Sequence, residues 1–187
     1  IRYRFIYLWI NFLGFFFYKR SPRNINLEYV KKLQKFNKQN SSFVAVTVNP
    51  DDEFIKSQVI GNFEYIQLHG SETSERVSEI KSMGLKIIKA VKIKDEADIK
   101  FYKQYENADV ILFDTPGMEK SIQFPEDLIS KLPKGKKYAL AGSISENNLE
   151  NIAKLGVTFC DLSSSLEIDK QIGLSLIHIW RCRRRLV

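Results

Sequence analysis

The chain is poor in the residues that build disulfide frameworks and metal clusters. Its 187 residues include only two cysteines and two histidines. Cys160 lies in an apolar run and Cys182 lies among arginines, so the two form neither a disulfide framework nor a metal-ligand cluster. This cysteine usage favours a reducing compartment, and we expect the protein in the cytoplasm.

Long apolar runs and dividing linkers are also missing. The most apolar stretch, FIYLWINFLGFFFY (5–18), is too short to span a membrane and lacks the small-residue cleavage site of a secretory signal. No internal repeat, low-complexity tract or Pro/Gly linker divides the sequence. With 44% hydrophobic residues, the chain is predicted to form one domain with a large core.

The net charge of +7 belongs to the two ends of the chain. Residues 1–10 hold two arginines, residues 174–187 hold four, and neither segment holds an acidic residue. These six arginines account for all but one of the net positive charges, so the body is almost neutral. A basic protein would ordinarily suggest a nucleic acid or a membrane surface as its partner. Because the charge is confined to the ends, we expect neither partner.

From Asn11 onward, short apolar runs typical of strands alternate with amphipathic stretches typical of helices. Seven such runs occur: NFLGFFFY (11–18), FVAVTVN (43–49), EYIQLHG (64–70), LKIIKAVKI (85–93), DVILFDT (109–115), KKYALAG (136–142) and VTFCDLSSS (157–165). Regular βα alternation predicts an α/β fold with a parallel sheet, and seven strands favour a (β/α)8 TIM barrel over a doubly wound sheet.

The predicted barrel is incomplete. An eight-fold barrel needs one more βα unit, and the ten residues before Asn11 are too few to supply it. The segment LIHIWRCRRRLV has no clear helical spacing, so the last helix is also missing or replaced. We therefore divide the chain into an atypical N-terminal segment (1–10), a barrel domain (11–173) and an atypical basic tail (174–187).

Polar residues follow the carboxyl ends of the predicted strands, where parallel barrels build their active sites. Alternation along the third strand sends Tyr65, Gln67 and His69 to one face. A strand-terminal histidine is often only a half-exposed side chain bonded to a neighbouring carbonyl, which is the alternative interpretation. Further polar residues at the predicted rim are Asn49, Lys89 and Thr115.

Asp114 is the sharpest candidate for acid–base chemistry. The apolar run VILF leads its carboxylate into a Thr-Pro-Gly turn. An aspartate that starts an ordinary Asx-turn is the alternative. Desolvation by the barrel wall would raise the pKa of this carboxyl, which suits a general acid that works near neutral pH.

The stretches AGSIS and SSSLEI follow the last two predicted strands. Barrels commonly bind a phosphate at this position through backbone N–H groups and a helix N-terminus. Small residues also serve ordinary turns, so turn formation is the alternative.

In this order and spacing, SPRNI, VAVTVN, YIQLHG, IKAVKI, LFDT, LAGS and CDLSSSLE resemble phosphoribosylanthranilate isomerase, a tryptophan-pathway family with a (β/α)8 fold. The resemblance covers residues 11–173. It implies an Amadori rearrangement of N-(5-phosphoribosyl)anthranilate to its 1-deoxyribulose isomer, without metal or cofactor. It also implies a small-molecule phosphosugar substrate and a monomer or homodimer.

The resemblance further implies roles for individual residues. Asp114 matches the general acid that protonates the furanose ring oxygen, and Arg23 matches the arginine that contacts the anthranilate moiety. Gln67 and His69 would line the pocket, and Asp161 matches a further polar position of the site. Four small residues match the phosphate-binding positions: Gly142, Ser143, Ser164 and Ser165.

The chain departs from the family at its general base. The family uses a cysteine in a Lys-x-Cys-Gly motif on its first strand, and neither Cys160 nor Cys182 matches it. Two glycines of the phosphate loops appear as Ser143 and Ser165, and a glycine of the loop after the Asp114 strand appears as Glu119. We expect residues 1–187 to be inactive and poorly soluble, because the missing strand exposes the edges of the first and last predicted strands to solvent or to another chain. The alternative is that residues 1–10, which alternate and are β-prone, pair there as a substitute strand.

Two other functions stay open. One is a different phosphate-binding barrel, such as indole-glycerol-phosphate synthase, although its catalytic lysine and glutamate on early strands are not found here. The other is a non-catalytic ligand-binding or nucleic-acid module with a basic tail. A salt-dependent DNA-binding assay would separate this module from the enzymes.

Overall fold

The computed structural model is a closed barrel of eight strands. The residues described are 10–35, 41–115, 126–132, 138–142, 144, 146–154, 157, 159–162 and 177–181. Each of the first seven strands pairs in parallel with the next along the chain. These strands are β1 (Ile10–Phe17), β2 (Ser42–Thr47), β3 (Tyr65–Leu68), β4 (Lys86–Lys92), β5 (Val110–Asp114), β6 (Tyr138–Leu140) and β7 (Phe159–Leu162).

A helix lies in each of the six crossovers between consecutive parallel strands, as the sequence predicted. The helices are α1 (Leu27–Gln34), α2 (Asp52–Phe54, continued by a π-helical turn, Ile55–Val59), α3 (Ser74–Ser82), α4 (Glu96–Ile99, continued by a 3-10 helix, Lys100–Tyr105), α5 (Glu126–Ile129) and α6 (Glu146–Lys154). Within the described part of the chain, no helix has the length and apolar character needed to cross a membrane.

Successive strand residues pack alternately inside and outside the barrel, because side chains alternate along a strand. Inside, Phe12 makes edge-to-face contacts with Tyr65, at 4.9 Å between ring centroids, and with Phe159, at 5.9 Å. The other buried residues of this inner core are small or branched: Val44, Val46, Ile88, Ala90, Val110, Leu112, Ala139 and Ala141. This core fills the barrel, so polar groups are left to the rim at the carboxyl ends of the strands.

The outward-facing residues form a second layer between the strands and the helices. Ile66, Leu68 and Ile87 pack there against Val77 and Ile80 of α3. Because Ile66 and Leu68 face outward, the residue between them faces into the barrel. The third strand therefore presents its polar side chains to the barrel interior, as its alternation predicted.

An antiparallel strand, β8 (Ile177–Arg181), closes the barrel. It pairs with β1, where Leu13 lies opposite His178, and with β7, where Cys160 lies opposite Trp180. The expectation that these two edges would be exposed is therefore wrong. A segment of the basic C-terminal stretch pairs with both edges and occupies the place where the sequence left a strand missing.

Candidate active site

The carboxyl ends of β3 and β5 bring His69 and Asp114 together. Nε2 of His69 lies 3.1 Å from Oδ2 of Asp114, and Nδ1 of the same ring lies 3.1 Å from Nε2 of Gln67. In the tautomer that carries its proton on Nε2, the ring donates to Asp114 and accepts at Nδ1 from the amide nitrogen of Gln67. The side chains of His69 and Asp114 are 26% and 20% exposed, so this hydrogen-bonded chain is open to a ligand at the barrel mouth.

Asp161, on β7, is the most deeply buried carboxyl of the rim. Burial raises its pKa well above the ordinary value of 3.8, the negative charge of Asp114 raises the pKa further, and the positive charge of Arg23 opposes this change. Its Oδ1 atom is buried and has no hydrogen-bond partner among the described residues. Asp161 therefore keeps its proton to a higher pH than an ordinary aspartate and can donate a hydrogen bond.

Arg23 follows β1 on a tight turn. The amide of Ser21 donates to the carbonyl of Tyr18 at 2.8 Å, and the amide of Arg23 donates to Oγ of Ser21 at 3.2 Å. The guanidinium carbon of Arg23 lies 5.7 Å from the ring centroid of Phe16, a cation–π contact. The turn thus folds Arg23 back toward the barrel, where its charge acts on Asp161.

Gly142, two residues after the end of β6, approaches the end of β5. Its φ is +102°, and a Cβ at this position would collide with the hydroxyl of Thr115. Ala141 donates from its amide to the carbonyl of Phe113 at 2.8 Å, which holds the two strand ends together. The other predicted phosphate-binding residues, Ser143, Ser164 and Ser165, lie outside the described residues.

Lys89 does not lie at the mouth, where the sequence placed it. It alternates with Ile87 and Val91, which belong to the outer layer, and only 2% of its side chain is exposed. Its Nζ forms an ion pair with Oε2 of Glu72 at 2.8 Å. Alternation along the strand puts Lys89 on the same face as Ile87 and Val91, which is the outer face. Glu72 lies in a polar loop, and no sequence pattern there predicted that its side chain would be buried.

Seven parallel strands with helical crossovers, and polar side chains gathered at the carboxyl ends of the strands, define a β/α-barrel enzyme that acts on a small molecule. The family model described as N-(5'phosphoribosyl)anthranilate (PRA) isomerase matches residues 6–177. The chain belongs to this family of tryptophan-biosynthetic isomerases, which confirms the resemblance found in the sequence.

Individual relatives agree with this assignment. The N-(5'-phosphoribosyl)anthranilate isomerase of Sinorhizobium medicae is 34% identical over 166 residues, which cover 82% of this chain and 77% of the relative. That of Rhizobium rhizogenes is 33% identical and covers 83% and 75%. The phosphoribosyl anthranilate isomerase structure from Thermus thermophilus superimposes with a TM-score of 0.77 at 25% identity, covering 88% of this chain and 80% of that one. These matches confirm the barrel fold.

Proposed function

We propose that the barrel mouth binds N-(5'-phosphoribosyl)anthranilate and that Asp114 is the general acid of its isomerisation. The hydrogen bond between His69 and Asp114 at the mouth is the observation that supports this role most directly. Protonation of the furanose ring oxygen breaks the bond from C1 to that oxygen and leaves an iminium ion. Loss of the C2 proton then gives an enamine, which tautomerises to the 2-ketose, so no electron donor or acceptor is needed.

His69 orients the acid in this proposal. Its Nε2–H bond to Oδ2 fixes the Asp114 side chain, and the Gln67 amide fixes the imidazole in turn. A general acid must lie within hydrogen-bond reach of the atom that it protonates, about 2.6–3.2 Å. A carboxyl held by a neighbouring ring meets this requirement with less loss of side-chain freedom on substrate binding.

The other rim residues bind the substrate. Arg23 offers a planar cation to the anthranilate carboxylate, because guanidinium groups pair with carboxylates in a bidentate manner. Asp161 donates a hydrogen bond to a substrate oxygen from its Oδ1 atom, which has no partner among the described residues. The phosphate is held by backbone N–H groups and hydroxyls after the last two parallel strands, at Gly142, Ser143, Ser164 and Ser165.

The described residues place no thiol at the mouth to act as the base for the C2 proton. Among the described residues the one thiol is that of Cys160, which is fully buried in the outer layer, between the strands and the helices. Asp161, its neighbour on the strand, faces the opposite side. We therefore propose that residues 1–187 bind the substrate but turn it over slowly.

The proposal includes the cytoplasm as the compartment and a monomer or homodimer as the quaternary state, with no nucleic-acid or membrane partner. One structural neighbour, from Thermotoga maritima, is described as generated monomers of a dimeric phosphoribosylanthranilate isomerase and superimposes with a TM-score of 0.69 at 24% identity. Another was solved in complex with reduced 1-(o-carboxyphenylamino)-1-deoxyribulose 5-phosphate, with a TM-score of 0.73. A reduced product of this kind is therefore a suitable probe for this chain.

Calorimetric titration with that reduced product tests the proposal. We expect saturable binding that Arg23→Met weakens about 10–100-fold, since a hydrogen bond to a charged group contributes about 1.5–3 kcal/mol. Arg20→Met is the matched control, because Arg20 is exposed in the same turn. Equal losses in the two variants would contradict the role of Arg23. Absence of product binding, together with salt-sensitive DNA binding, would favour the nucleic-acid module instead.

A further inference from the structure

A buried ion pair lies behind the active site, in the layer between the strands and the helices. Nζ of Lys89 is 2.8 Å from Oε2 of Glu72, and both side chains are 2% exposed. No step of the proposed isomerisation uses these two charges. Burying two charges is costly and often gives no net stability over an apolar pair, so such a pair commonly serves to fix one geometry.

The ammonium group of Lys89 donates hydrogen bonds to the backbone on both sides of His69. Nζ of Lys89 donates to the carbonyl of Leu68 at 3.2 Å and to the carbonyl of Gly70 at 2.9 Å. His69 is the residue between those two carbonyls. Three acceptors thus surround one ammonium group, and two of them belong to the turn that carries the active-site imidazole.

The carboxylate of Glu72 accepts hydrogen bonds from backbone amides of the same turn and its neighbour. It accepts from the amide of Gly70, at 3.1 Å to Oε1 and 3.0 Å to Oε2, and from the amide of Asn49 at 2.8 Å. A Cβ on Gly70 would lie 2.8 Å from Oε1 of Glu72 and would collide with Oδ1 of Asn49, so this position has room only for a glycine. The hydroxyl of Tyr105 donates to the Glu72 carbonyl at 3.0 Å and holds the loop against α4.

We propose that Lys89 and Glu72 are positioning residues that act through the turn after β3 to set the contact between His69 and Asp114. The inference rests on the proposed function for its meaning in catalysis, but the contact itself can be observed without any substrate. The turn is held on both sides by the pair, and the amide of His69 donates to the carbonyl of Thr47 at 2.9 Å. Loss of the pair removes the contacts of Lys89 and Glu72 to this turn. The His69 amide then keeps its bond to Thr47, and the Ser71 amide keeps its bond to Oδ1 of Asn49 at 2.9 Å.

Nitrogen NMR of the histidine rings tests this proposal. Histidine-selective labelling gives two ring systems, since the chain has two histidines, and His178→Gln assigns them. In the parent chain at a pH where the ring is neutral, we expect one protonated and one unprotonated nitrogen on His69, because Gln67 and Asp114 fix its tautomer. The double variant Lys89→Met with Glu72→Gln removes both charges, so no lone charge stays buried. We expect its two His69 nitrogen shifts to move toward each other as the tautomers mix.

The control is a different ion pair, between a lysine and an aspartate, near the opposite end of the same strand. Nζ of Lys81 lies 3.1 Å from Oδ1 of Asp109, whose Oδ2 accepts from the amide of Ile87. The double variant Lys81→Met with Asp109→Asn should lower the melting temperature but leave the His69 shifts unchanged. Parent-like His69 shifts in the Lys89/Glu72 double variant would overturn the proposal.

A milder variant keeps the test decisive if that double variant fails to fold. Lys89→Gln with Glu72→Gln leaves no lone charge buried and keeps a polar side chain at both positions, so the proposal predicts a smaller change of the His69 signals in the same direction. Unchanged His69 signals in the folded Lys89→Gln/Glu72→Gln protein would overturn it. Failure of the chain to bind the reduced product, with the His69 signals behaving as expected, would instead contradict the proposed function while leaving the positioning role intact.

Discussion

His69 and Asp114, 45 residues apart in sequence, are joined by a 3.1 Å contact between Nε2 and Oδ2. The contact links the ends of β3 and β5 across β4, the strand that carries Lys89. The His69 ring thereby lies in hydrogen-bond contact with the Asp114 carboxyl group, which faces the barrel mouth. The polar side chains at the ends of these two strands therefore meet at one rim of the described barrel.

We expect Asp114→Asn to remove the general acid. In a chain whose first strand carries the Lys-x-Cys-Gly motif, the substitution should lower the isomerisation rate by about 10²–10⁴-fold. Product affinity should change little, because asparagine has nearly the same volume. Steady-state kinetics and product titration measure the two effects. Asp95→Asn, at an exposed helix N-cap where asparagine also caps well, is the control, and a near-normal kcat for Asp114→Asn would refute the assignment.

The raised pKa of Asp161 makes the stability of the fold depend on pH. The native state binds this proton more tightly than the unfolded chain, so the contribution of Asp161 to stability is lost as pH rises from the ordinary 3.8 to the raised value. A tenfold difference in proton affinity between the native and unfolded states corresponds to about 1.4 kcal/mol of stability. We therefore expect Asp161→Asn to be more stable than the parent at about pH 8, with the difference shrinking as the pH falls toward about 4.

Urea unfolding across this pH range measures the difference for Asp161→Asn. The control is Asp51→Asn, because Asp51 is an exposed helix N-cap and asparagine also caps helices well. A difference between Asp161→Asn and the parent that stays constant from about pH 4 to about pH 8 would show that Asp161 does not titrate as described.

Gly142→Ala should destabilise the chain more than a positive φ alone would. Gly84 has a φ of +91° with no atom near its missing Cβ, whereas Gly142 has a similar φ and a Cβ there would collide with Thr115. Gly84→Ala therefore reports backbone strain alone, about 1–3 kcal/mol. The excess cost of Gly142→Ala, measured by urea unfolding, should shrink in a Thr115→Ala background, which removes the nearest atom, the Thr115 hydroxyl. An equal cost of the two alanine substitutions would exclude the close approach.

Deletion of residues 174–187 tests the role of β8. The strand pairs with both β1 and β7, so its loss leaves two unpaired edges, and exposed edges promote association between chains. We expect the truncated chain to form larger assemblies than the parent at equal concentration, as measured by light scattering. A truncated chain that stays as dispersed as the parent would show that β8 contributes nothing to closure of the barrel.

The parallel strands and their facing could be predicted because both depend on local patterns. Alternation alone put Gln67 and His69 on one face, and the two side chains do contact each other. The same rule, applied to Ile87 and Val91, would have put Lys89 on the outer face, but its polarity suggested the rim instead.

Other features could not be predicted because they depend on partners distant in sequence. The segment IHIWR becomes a strand by pairing with two edges, one of them more than 160 residues away. Glu72 becomes buried only because Lys89 and two backbone amides surround it. The high pKa of Asp161 likewise needs the charge of Asp114, which lies on another strand.

The most direct measurement compares binding with turnover in residues 1–187 as they stand. Fluorescence of the anthranilate group follows both product binding and the conversion of N-(5'-phosphoribosyl)anthranilate. The account predicts saturable binding of the reduced product that depends on Arg23, together with isomerisation at most marginally above the uncatalysed rate, because the chain has no thiol at the mouth in its described part and no Lys-x-Cys-Gly motif. A soluble monomer that isomerises the substrate at a normal enzymatic rate would contradict this account.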